Sequence, residues 1–395
     1  AVVGGTVWQL SKYRKELGPC HALVVDEGSQ LPLVDLALVT QLLHPREYRL
    51  VVAGDPLQLP PIIRGSYPAG AEGPSLYGSV MGGLMRTSAN ASLGDVYQAS
   101  ATEQCPTIVR LHSNRRSSLA ISNLTSTIYG REYKPLHRRL PLRPRRKGLP
   151  PPGGILGDIL HSHDTEVAVE AISLVVVNVA VVEDGAPGVP VVLAPTQQRC
   201  VEGEVMRLLV QELDQWVASH DCFVVTPHRS QRTAIQNFLR LEGNTGKTAG
   251  APGLRVVCAD TVERVQGQEA DVVLVALALF DEDQVAAEMD FLYSLHRLNV
   301  AFSRAKRLCV VVLSDAVGLP STKILSSPSA RIGYAHLLEF SKRSAHVGVR
   351  LVDRTQTMGR PSYDIYALKP GHAEPSLISR DAACAPPPSD DSSHQ

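Results

Sequence analysis

The sequence has 395 residues, and its 39 Lys and Arg balance its 39 Asp and Glu, so the formal net charge is zero. A neutral chain has no overall field that attracts a polyanion, so any nucleic-acid site has to be a local groove. The sequence contains no signal peptide and no apolar span of about 18 residues, which excludes a membrane-spanning helix. The seven cysteines form no CxxC pair, as is typical of a reducing compartment. We expect a soluble intracellular protein of about two domains.

The first residues, AVVGGTVWQL, predict a core strand that ends before Thr6. A domain that begins directly in a core strand indicates that something upstream is missing, so we expect a fragment. The Thr6 hydroxyl, just past this strand, is a candidate phosphate contact, although a plain strand-end threonine is the commoner case.

Two apolar runs, 23–25 and 50–53, predict buried parallel strands, and the apolar spacing of 32–43 predicts the crossover helix between them. Each run is followed by acidic residues: Asp26 and Glu27 after the first, Asp55 after the second. Ligands of open α/β sheets bind beyond the carboxyl ends of the strands, so these acids mark a candidate site.

The adjacent acids suit a nucleotide-phosphate site. One of the two carboxylates can hold a hydrated Mg²⁺, which takes few protein ligands. The other can orient or deprotonate an attacking water, and Gln58 in GDPLQLPP can hydrogen-bond a γ-phosphate or that water. A helix cap is an equally common use of one such acidic pair. Two acid-ended strands together with GDPLQLPP favour the functional interpretation.

The middle of the chain carries basic features. Residues 109–129 predict a helix with Arg115 and Arg116 near its start, where the helix dipole disfavours cations and an anionic partner would offset them. A solvated pair of arginines is the default interpretation. Residues 136–154, with six Lys or Arg and many prolines, predict a disordered or extended insertion. A solvated loop is its commoner role, with nucleic-acid attraction or nuclear localisation as alternatives.

Residues 167–182 and 202–218 predict amphipathic helices. A buried strand at 222–225 leads into TPHRSQ and a further helix, and such a strand end before a helix N-terminus suits phosphate. The later GKT at 246–248 lacks the strand–helix context of a P-loop, so we interpret it as a loop.

Strands predicted at 256–259 and 271–278 flank TVERVQGQE, and RLNVAFSRAKR predicts a helix that runs directly into a strand at 308–313. Arg297, Arg304 and Arg307 recur at helical spacing on that helix. Such a basic face is usually solvated, but an arginine fixed between two core strands beside a glycine-bearing turn can contact phosphate.

Six strings in this order resemble superfamily 1 helicases, in the branch of the nonsense-mediated-decay RNA helicase and the replication helicase-nuclease: VVDEGSQLP, GDPLQLPP, LHSNRRSSLAISNLTSTIYG, FVVTPHRSQ, DTVERVQGQEADVV and RLNVAFSRAKR. The resemblance covers residues 2–315 and implies an α/β fold with two RecA-like parallel-sheet domains. We expect residues 1–105 to form the first domain, truncated at its N-terminus, and 106–315 the second. Residues 316–395 would be an extension, disordered from about 370.

The resemblance also implies roles for single residues. Asp26 would bind Mg²⁺, Glu27 would be the base, Gln58 would sense the γ-phosphate, and Arg115 and Arg304 would reach that phosphate from the second domain. Gly267 would contact the γ-phosphate and Glu269 the ribose. Contacts to the nucleic-acid backbone are implied for Thr6, Thr226, Pro227, Arg229 and Thr261.

The sequence departs from the family at four places. Asn114 replaces a tyrosine, Ser117-Ser118 replace His-Pro, and His228 replaces an aromatic residue; Gly28, where Ala-like residues are usual, is a mild change. In the family the P-loop lies upstream of the acidic strand, and this sequence, which begins at Ala1, does not contain it. Without its amides and lysine the phosphates lack their main cradle, so we expect the isolated chain to hydrolyse ATP poorly or not at all.

The leading hypothesis is an ATP- and Mg²⁺-dependent helicase or translocase on single-stranded RNA or DNA. We expect a monomeric motor, in the nucleus or cytoplasm, that can bind protein partners through its tail and does not bind membranes. The alternative is a catalytically inactive relative that serves as a nucleic-acid-binding or scaffold module. A motor fused to a nuclease is a third option, although the sequence shows no nuclease-like acidic or cysteine cluster.

Overall fold

The structure is a computed structural model that describes residues 1–62, 78–85, 109–130, 132–137, 140–146, 149, 154–157, 159–160, 173–183, 186–190, 193–239, 253–277, 279–353, 363–368 and 376–377. It contains two compact units, Ala1–Leu111 and His112–Gln395. The GKT string and most of the tail predicted to be disordered lie outside the described residues. No helix in the described ranges is long and apolar enough to span a membrane.

The first unit contains two parallel strands and, among its described residues, four helices. The strands are β1 (Ala22–Val25) and β2 (Arg49–Val52), and the helices are α1 (Val7–Lys12), α2 (Arg14–Leu17), α3 (Leu33–Thr40) and α4 (Val80–Leu84). The strands pair in parallel from Ala22–Arg49 to Val25–Val52, and α3 is the crossover between them. The predicted strand–helix–strand unit is therefore confirmed.

Among the described residues of the first unit, one face of this small sheet is buried and the other is exposed. Leu23 and Val25 pack with Val39 of α3, whereas Val24 and Val51, which are paired across the sheet, are 67% and 51% exposed. The prediction of buried strands is thus wrong for the second face. Side chains alternate between the two faces of a strand, and the described core of this unit covers one of them.

The predicted N-terminal core strand is also wrong. Residues before Thr6 form no regular structure, and Val2 is fully exposed. Thr6 is instead the N-cap of α1: its hydroxyl accepts from the Gln9 amide at 3.3 Å, and the Gln9 side chain accepts from the Thr6 amide at 2.9 Å. This reciprocal capping box starts a helix. The prediction of a strand considered the apolar run and not this helix-start signal.

The second unit is built on a nine-stranded sheet. Its strands are β5 (Leu174–Glu183), β6 (Ala186–Pro190), β7 (His220–Thr226), β8 (Leu254–Thr261), β9 (Ala270–Leu277), β10 (Ala305–Leu313), β11 (Ala345–Asp353), β12 (Tyr363–Leu368) and β13 (Ser376–Leu377); the short pair β3 (Ser113–Asn114) and β4 (Lys134–Pro135) is separate. Six strands, in the order β11-β5-β10-β9-β7-β8, are parallel to their neighbours. This parallel sheet with helices confirms the predicted α/β fold.

Helices of the second unit connect and cover these strands. Within the described ranges they are α5 (Leu119–Tyr129), α6 (Pro195–Trp216), α7 (Arg229–Phe238), α8 (Glu282–Ala287), α9 (Met289–Leu292), α10 (Leu295–Ser303), α11 (Asp315–Gly318), α12 (Thr322–Leu325) and α13 (Pro328–Lys342). Central strand residues such as Val273, Leu274 and Val275 are buried on both faces of the sheet. This is the burial expected for strands covered by helices on two sides.

Three predicted elements differ from the structure. Residues 174–183 form β5, not the predicted helix, because a β-branched run fits between two other parallel strands. The helix predicted from residue 109 begins at Leu119, so Arg115 and Arg116 precede it. The helix predicted to reach Arg307 ends at Ser303, because Ala305 already pairs with Ala270 in the sheet.

The sheet continues beyond residue 315, which we predicted as the end of the second domain. Strand β11 pairs in parallel with β5 through nine residue pairs, from Ala345–Val175 to Asp353–Glu183. Residues that we assigned to a C-terminal extension therefore belong to the same sheet.

The described part of the basic segment is extended but not disordered. The Arg145 amide donates to Trp216 O at 2.8 Å, and the Ala218 amide donates to Arg143 O at 2.6 Å. Leu142 is buried in the main core. The prediction of disorder is wrong for residues 140–146, because backbone hydrogen bonds to the end of α6 fix a stretch that its composition alone leaves free.

Gly333 lies where two chain segments approach each other too closely for a side chain. A Cβ placed at Gly333 in α13 would overlap the carbonyl oxygen of Tyr293, whereas a Cβ at Gly4 would meet nothing within 4 Å. We expect Gly333→Ala to lower the free energy of unfolding by about 1–3 kcal/mol, because α13 must move away from that backbone. Urea unfolding of both alanine variants measures this difference, and equal midpoints would contradict the close contact.

Candidate functional site

The acidic pair lies directly after β1. Glu27 has a φ of 52°, in the left-handed region that non-glycine residues rarely adopt, and its amide donates to the Asp26 carboxylate at 2.9 Å. The next amide, of Gly28, donates to Ala53 O at 2.8 Å, and a Cβ at Gly28 would overlap the Val52 side chain. The turn is therefore pressed against the end of β2, and Glu27 is held in a strained conformation. Strain of this kind is concentrated at functional sites.

The polar loop after β2 orders a second group at the same edge. Asp55 accepts from the Leu57 amide at 2.9 Å and from the Gln58 side-chain amide at 3.1 Å. Leu57 is 1% exposed and anchors the loop in the core. Asp26, Glu27, Asp55 and Gln58 thus follow the carboxyl ends of two paired strands, as predicted from the sequence.

The donor set at this edge fits Mg²⁺ rather than a metal enclosed by protein ligands. No group of three or more His, Cys, Asp or Glu in the described ranges is arranged to hold a metal. Asp26 is exposed, and one of its oxygens accepts from the Glu27 amide. Mg²⁺ keeps several waters and is usually bound by one or two carboxylates, so an exposed carboxylate of this kind suits it.

In the second unit, Glu269 lies between two cations. Its carboxylate accepts from Lys306 Nζ and from Arg116 Nε, each at 2.7 Å. These hydrogen bonds, that of Lys306 first, hold the pKa of Glu269 below its ordinary value. Arg116 also donates to Ser303 O at 3.3 Å.

The structure places Arg116 at Glu269, whereas the resemblance pointed to Arg115, which is exposed. The signal that the sequence interpretation missed is Asn114. Its side-chain oxygen accepts from the amides of Arg116 and Ser117 at 2.9 and 3.1 Å, an Asx-type turn that fixes which arginine faces the sheet.

Arg304 is 1% exposed and binds backbone. It donates to Val300 O at 3.1 Å, to Gln268 O at 3.2 Å and to the Ser303 hydroxyl at 3.2 Å. It therefore fastens the end of α10 to the turn that carries Gly267. That glycine has a φ of 76°, in the left-handed region that favours glycine.

The residues that the resemblance assigned to nucleic acid are mostly buried in this unit. Thr226 and Thr261, at the ends of β7 and β8, are 1% and 7% exposed, and the Thr226 hydroxyl donates to Gln231 at 2.8 Å. Pro227 is buried as well, while Arg229 is exposed at the start of α7. Thr6 in the first unit is exposed but acts as the N-cap described above.

The two groups of candidate residues lie at opposite edges of the large sheet. Glu269 and Arg304 directly precede β9 and β10, so they are at the amino ends of these strands. Thr226 and Thr261 pair with each other at the carboxyl ends of β7 and β8. Cys222 in β7 pairs with Val272 in β9, so the two edges are separated by about 20 Å along the strands.

Comparisons with known proteins agree with this arrangement of strings. Residues 192–316 match the family model of an AAA domain. RNA helicase Mov10l1 of Mus musculus is 25% identical over 343 residues, which cover 78% of this chain and 25% of that protein. Its Homo sapiens counterpart is 24% identical over 415 residues, covering 94% of this chain and 30% of that protein. The DNA replication ATP-dependent helicase/nuclease JHS1 of Arabidopsis thaliana is 29% identical over 116 residues, or 29% of this chain and 8% of that protein.

The chain spans less than a third of the length of these curated relatives. Among solved structures, one titled "The structure of PRRSV helicase" aligns with 75% of this chain and 36% of that chain, at 14% identity and a TM-score of 0.31. That score is too low to support an argument about structure. The AAA-domain match and the helicase relatives, together with the six ordered strings, support the resemblance of this chain to superfamily 1 helicases.

Proposed function

We propose that the protein to which this chain belongs is a nucleic-acid-dependent ATPase that acts as a helicase or translocase on single-stranded RNA or DNA. One observation carries the proposal. Glu27 is held at a φ of 52° directly after β1, next to Asp26, and Gln58 is fixed by Asp55 after the neighbouring strand. A carboxylate that can accept a proton, beside an exposed carboxylate that can hold Mg²⁺, is the acidic pair that hydrolysis of a phosphoanhydride uses, and strain of the kind seen at Glu27 is typical of functional sites.

In the proposed reaction, Glu27 orients a water for in-line attack on the γ-phosphorus of ATP and accepts its proton, while the bond from that phosphorus to the β–γ bridging oxygen breaks and ADP leaves. Gln58 hydrogen-bonds the γ-phosphate or that water. Asp26 would hold Mg²⁺, which supplies charge neutralisation on the phosphates when it is bound.

The second unit supplies cations and the ribose contact in this proposal. The resemblance assigns phosphate contacts to Arg115, Arg304 and Gly267, and we add Arg116 because it lies at Glu269. The ribose would bind at Glu269, where its hydroxyls compete with Lys306 and Arg116 for the carboxylate. Release of an arginine by such competition would free a guanidinium to stabilise negative charge on the γ-phosphate.

In this proposal, the single-stranded nucleic acid binds at the carboxyl edge of the large sheet, where the carboxyl ends of its parallel β-strands lie. Arg229 is exposed at the start of α7, where free backbone amides also favour phosphate. Contacts of this kind read the backbone and carry little sequence preference.

Phosphate release from ATP by the complete protein, measured with and without oligouridylate or oligothymidylate at several salt concentrations, tests the proposal. We expect turnover that rises with the strand, and strand affinity that falls with salt. Salt-dependent binding without any turnover would instead support the inactive, nucleic-acid-binding relative. Absence of both would overturn the proposal.

A further inference from the structure

Three half-buried side chains at the carboxyl edge of the large sheet form an aromatic cluster: His228, Phe291 and Arg297. The rings of His228 and Phe291 are stacked, with centroids 5.1 Å apart and an angle of 22° between their planes. The Arg297 guanidinium carbon lies 3.9 Å from the Phe291 centroid. Phe291, in α9, therefore contacts a group from a strand end and a group from α10.

A carboxylate lies beside each of the two polar members of this aromatic cluster. Glu288 lies 2.8 Å from His228 Nε2, and Glu263 accepts from Arg297 Nε at 3.0 Å. All four of these charged or polar side chains are between 20% and 34% exposed, so the contacts are shielded but reachable from solvent. An arginine over an aromatic face gains a cation–π attraction that depends on a flat ring.

The aromatic cluster connects two sequence strings to which the resemblance assigns contacts with the nucleic-acid strand, FVVTPHRSQ and DTVERVQGQEADVV. His228 lies between Pro227 and Arg229, directly after β7. Glu263 is two residues beyond Thr261, the end of β8. A nucleic-acid strand bound at Arg229 would therefore lie next to His228, whose ring is stacked on Phe291.

Helix α10 leads from this cluster to the opposite edge of the sheet. Arg297 and Arg304 are seven residues apart, or about 10 Å along the helix axis. At the far end, Arg304 Nη1 donates to Gln268 O at 3.2 Å, and Arg304 O accepts from the Ala270 amide at 3.1 Å. The turn between β8 and β9 is therefore fastened to the same helix at both ends, through Glu263 and through Gln268.

We propose that Phe291 is a positioning residue that couples strand binding at the carboxyl edge to the nucleotide-facing turn at Gly267–Glu269. This inference rests on the proposed function. A helix is a rigid element, so a displacement of Arg297 at one end is carried to Arg304 at the other, and with it to the Gln268 carbonyl. Phe291 contacts both His228, which is next to the proposed nucleic-acid contact Arg229, and Arg297 of that helix.

Hydrogen exchange tests the coupling, because it reads both edges of the sheet in one experiment. The full chain is compared with and without a single-stranded oligouridylate. We expect protection of the amides around Arg229, and also of the turn 264–270 about 20 Å away. In Phe291→Leu the first protection should remain, with strand affinity within about threefold, while the protection factor of the turn falls at least about fivefold.

Three further variants separate coupling from packing. Phe291→Tyr keeps the ring and should restore protection of the turn. Arg297→Lys keeps the charge for Glu263 but loses the planar group over the Phe291 ring, so protection of the turn should fall as in Phe291→Leu. This variant tests the coupling independently if Phe291→Leu folds poorly. His21→Leu removes a ring of the stacked pair His21–His44 in the first unit and should change nothing.

The outcomes distinguish the inference from the proposed function. Protection of the turn that persists in both Phe291→Leu and Arg297→Lys would overturn the coupling. Protection near Arg229 without any change at the turn in the unmodified chain would overturn it too, while leaving the proposed function intact. Failure of the unmodified chain to bind the oligonucleotide would contradict the strand-binding part of the proposed function itself.

Discussion

Replacing Glu27 by Gln should slow ATP turnover by the complete protein by about 10²–10⁴-fold, the usual contribution of a general base. Glutamine has the same shape and can still hydrogen-bond Gln30, which lies 3.4 Å from the Glu27 carboxylate. It cannot accept the proton of the attacking water. Binding of ATP and of the strand should therefore change little. Steady-state turnover and equilibrium binding, measured on the same preparation, check both parts.

Glu16→Gln is the matched control, because Glu16 is an exposed glutamate of the same unit, in α2. It should leave turnover unchanged. Equal rates for Glu27→Gln and the unmodified protein would contradict the assignment of Glu27 as the base.

The backbone at Glu27 adds a second test of the same assignment. A φ of 52° suits glycine, so Glu27→Gly should relieve strain and raise the free energy of unfolding by about 1 kcal/mol while abolishing turnover. A catalytic role of the carboxylate would explain why a glutamate occupies a position where its backbone conformation costs stability. A variant that is both less stable and inactive would remove that explanation.

The sequence predicted the first-unit edge because its signals are local. The strands β1 and β2, the crossover α3 and the acids that follow each strand are all readable from short-range patterns. Parallel strands then bring Asp26 and Asp55 to one edge without any further information. What the pattern did not show is the left-handed turn at Glu27, which depends on Gly28 packing against Val52.

The second-unit cluster was harder to predict because its partners are distant in sequence. Glu269 meets Arg116, 153 residues earlier in the chain, and the choice between two adjacent arginines is made by hydrogen bonds of Asn114. The arginine-bearing helix was predicted to be too long for a similar reason. Its end at Ser303 is set by the pairing of Ala305 with β9, a tertiary contact that no helical periodicity contains.

A buried histidine behind α10 should make the stability of the fold depend on pH. His336 in α13 is 3% exposed, its ring packs on Phe302 with centroids 5.6 Å apart, and neither of its nitrogens has a hydrogen-bond partner in the described part of the chain. Burial lowers its pKa to about 4, against the smaller opposing effect of Glu339. The folded protein therefore holds this imidazole neutral.

The sign of the effect follows from that lowered pKa. An exposed histidine titrates near 6.5, so as the pH falls from about 6.5 to about 4 the unfolded chain takes up the proton and the folded chain does not. This stability contribution is complete above about pH 6.5, decreases through that window by about 3 kcal/mol, and changes no further below pH 4.

His336→Leu should remove this part of the pH dependence, and it should not destabilise the protein at pH 7, because it also removes two buried unpaired nitrogens. Urea unfolding at pH 7, 6, 5 and 4.5 compares the variant with the unmodified chain, and His112→Leu, at a half-exposed histidine, is the control. Parallel curves for His336→Leu and the unmodified chain would mean that the folded state accepts a proton at His336. In that case α10 would be held less rigidly against α13 than the packing of Phe302 on His336 and Phe340 indicates.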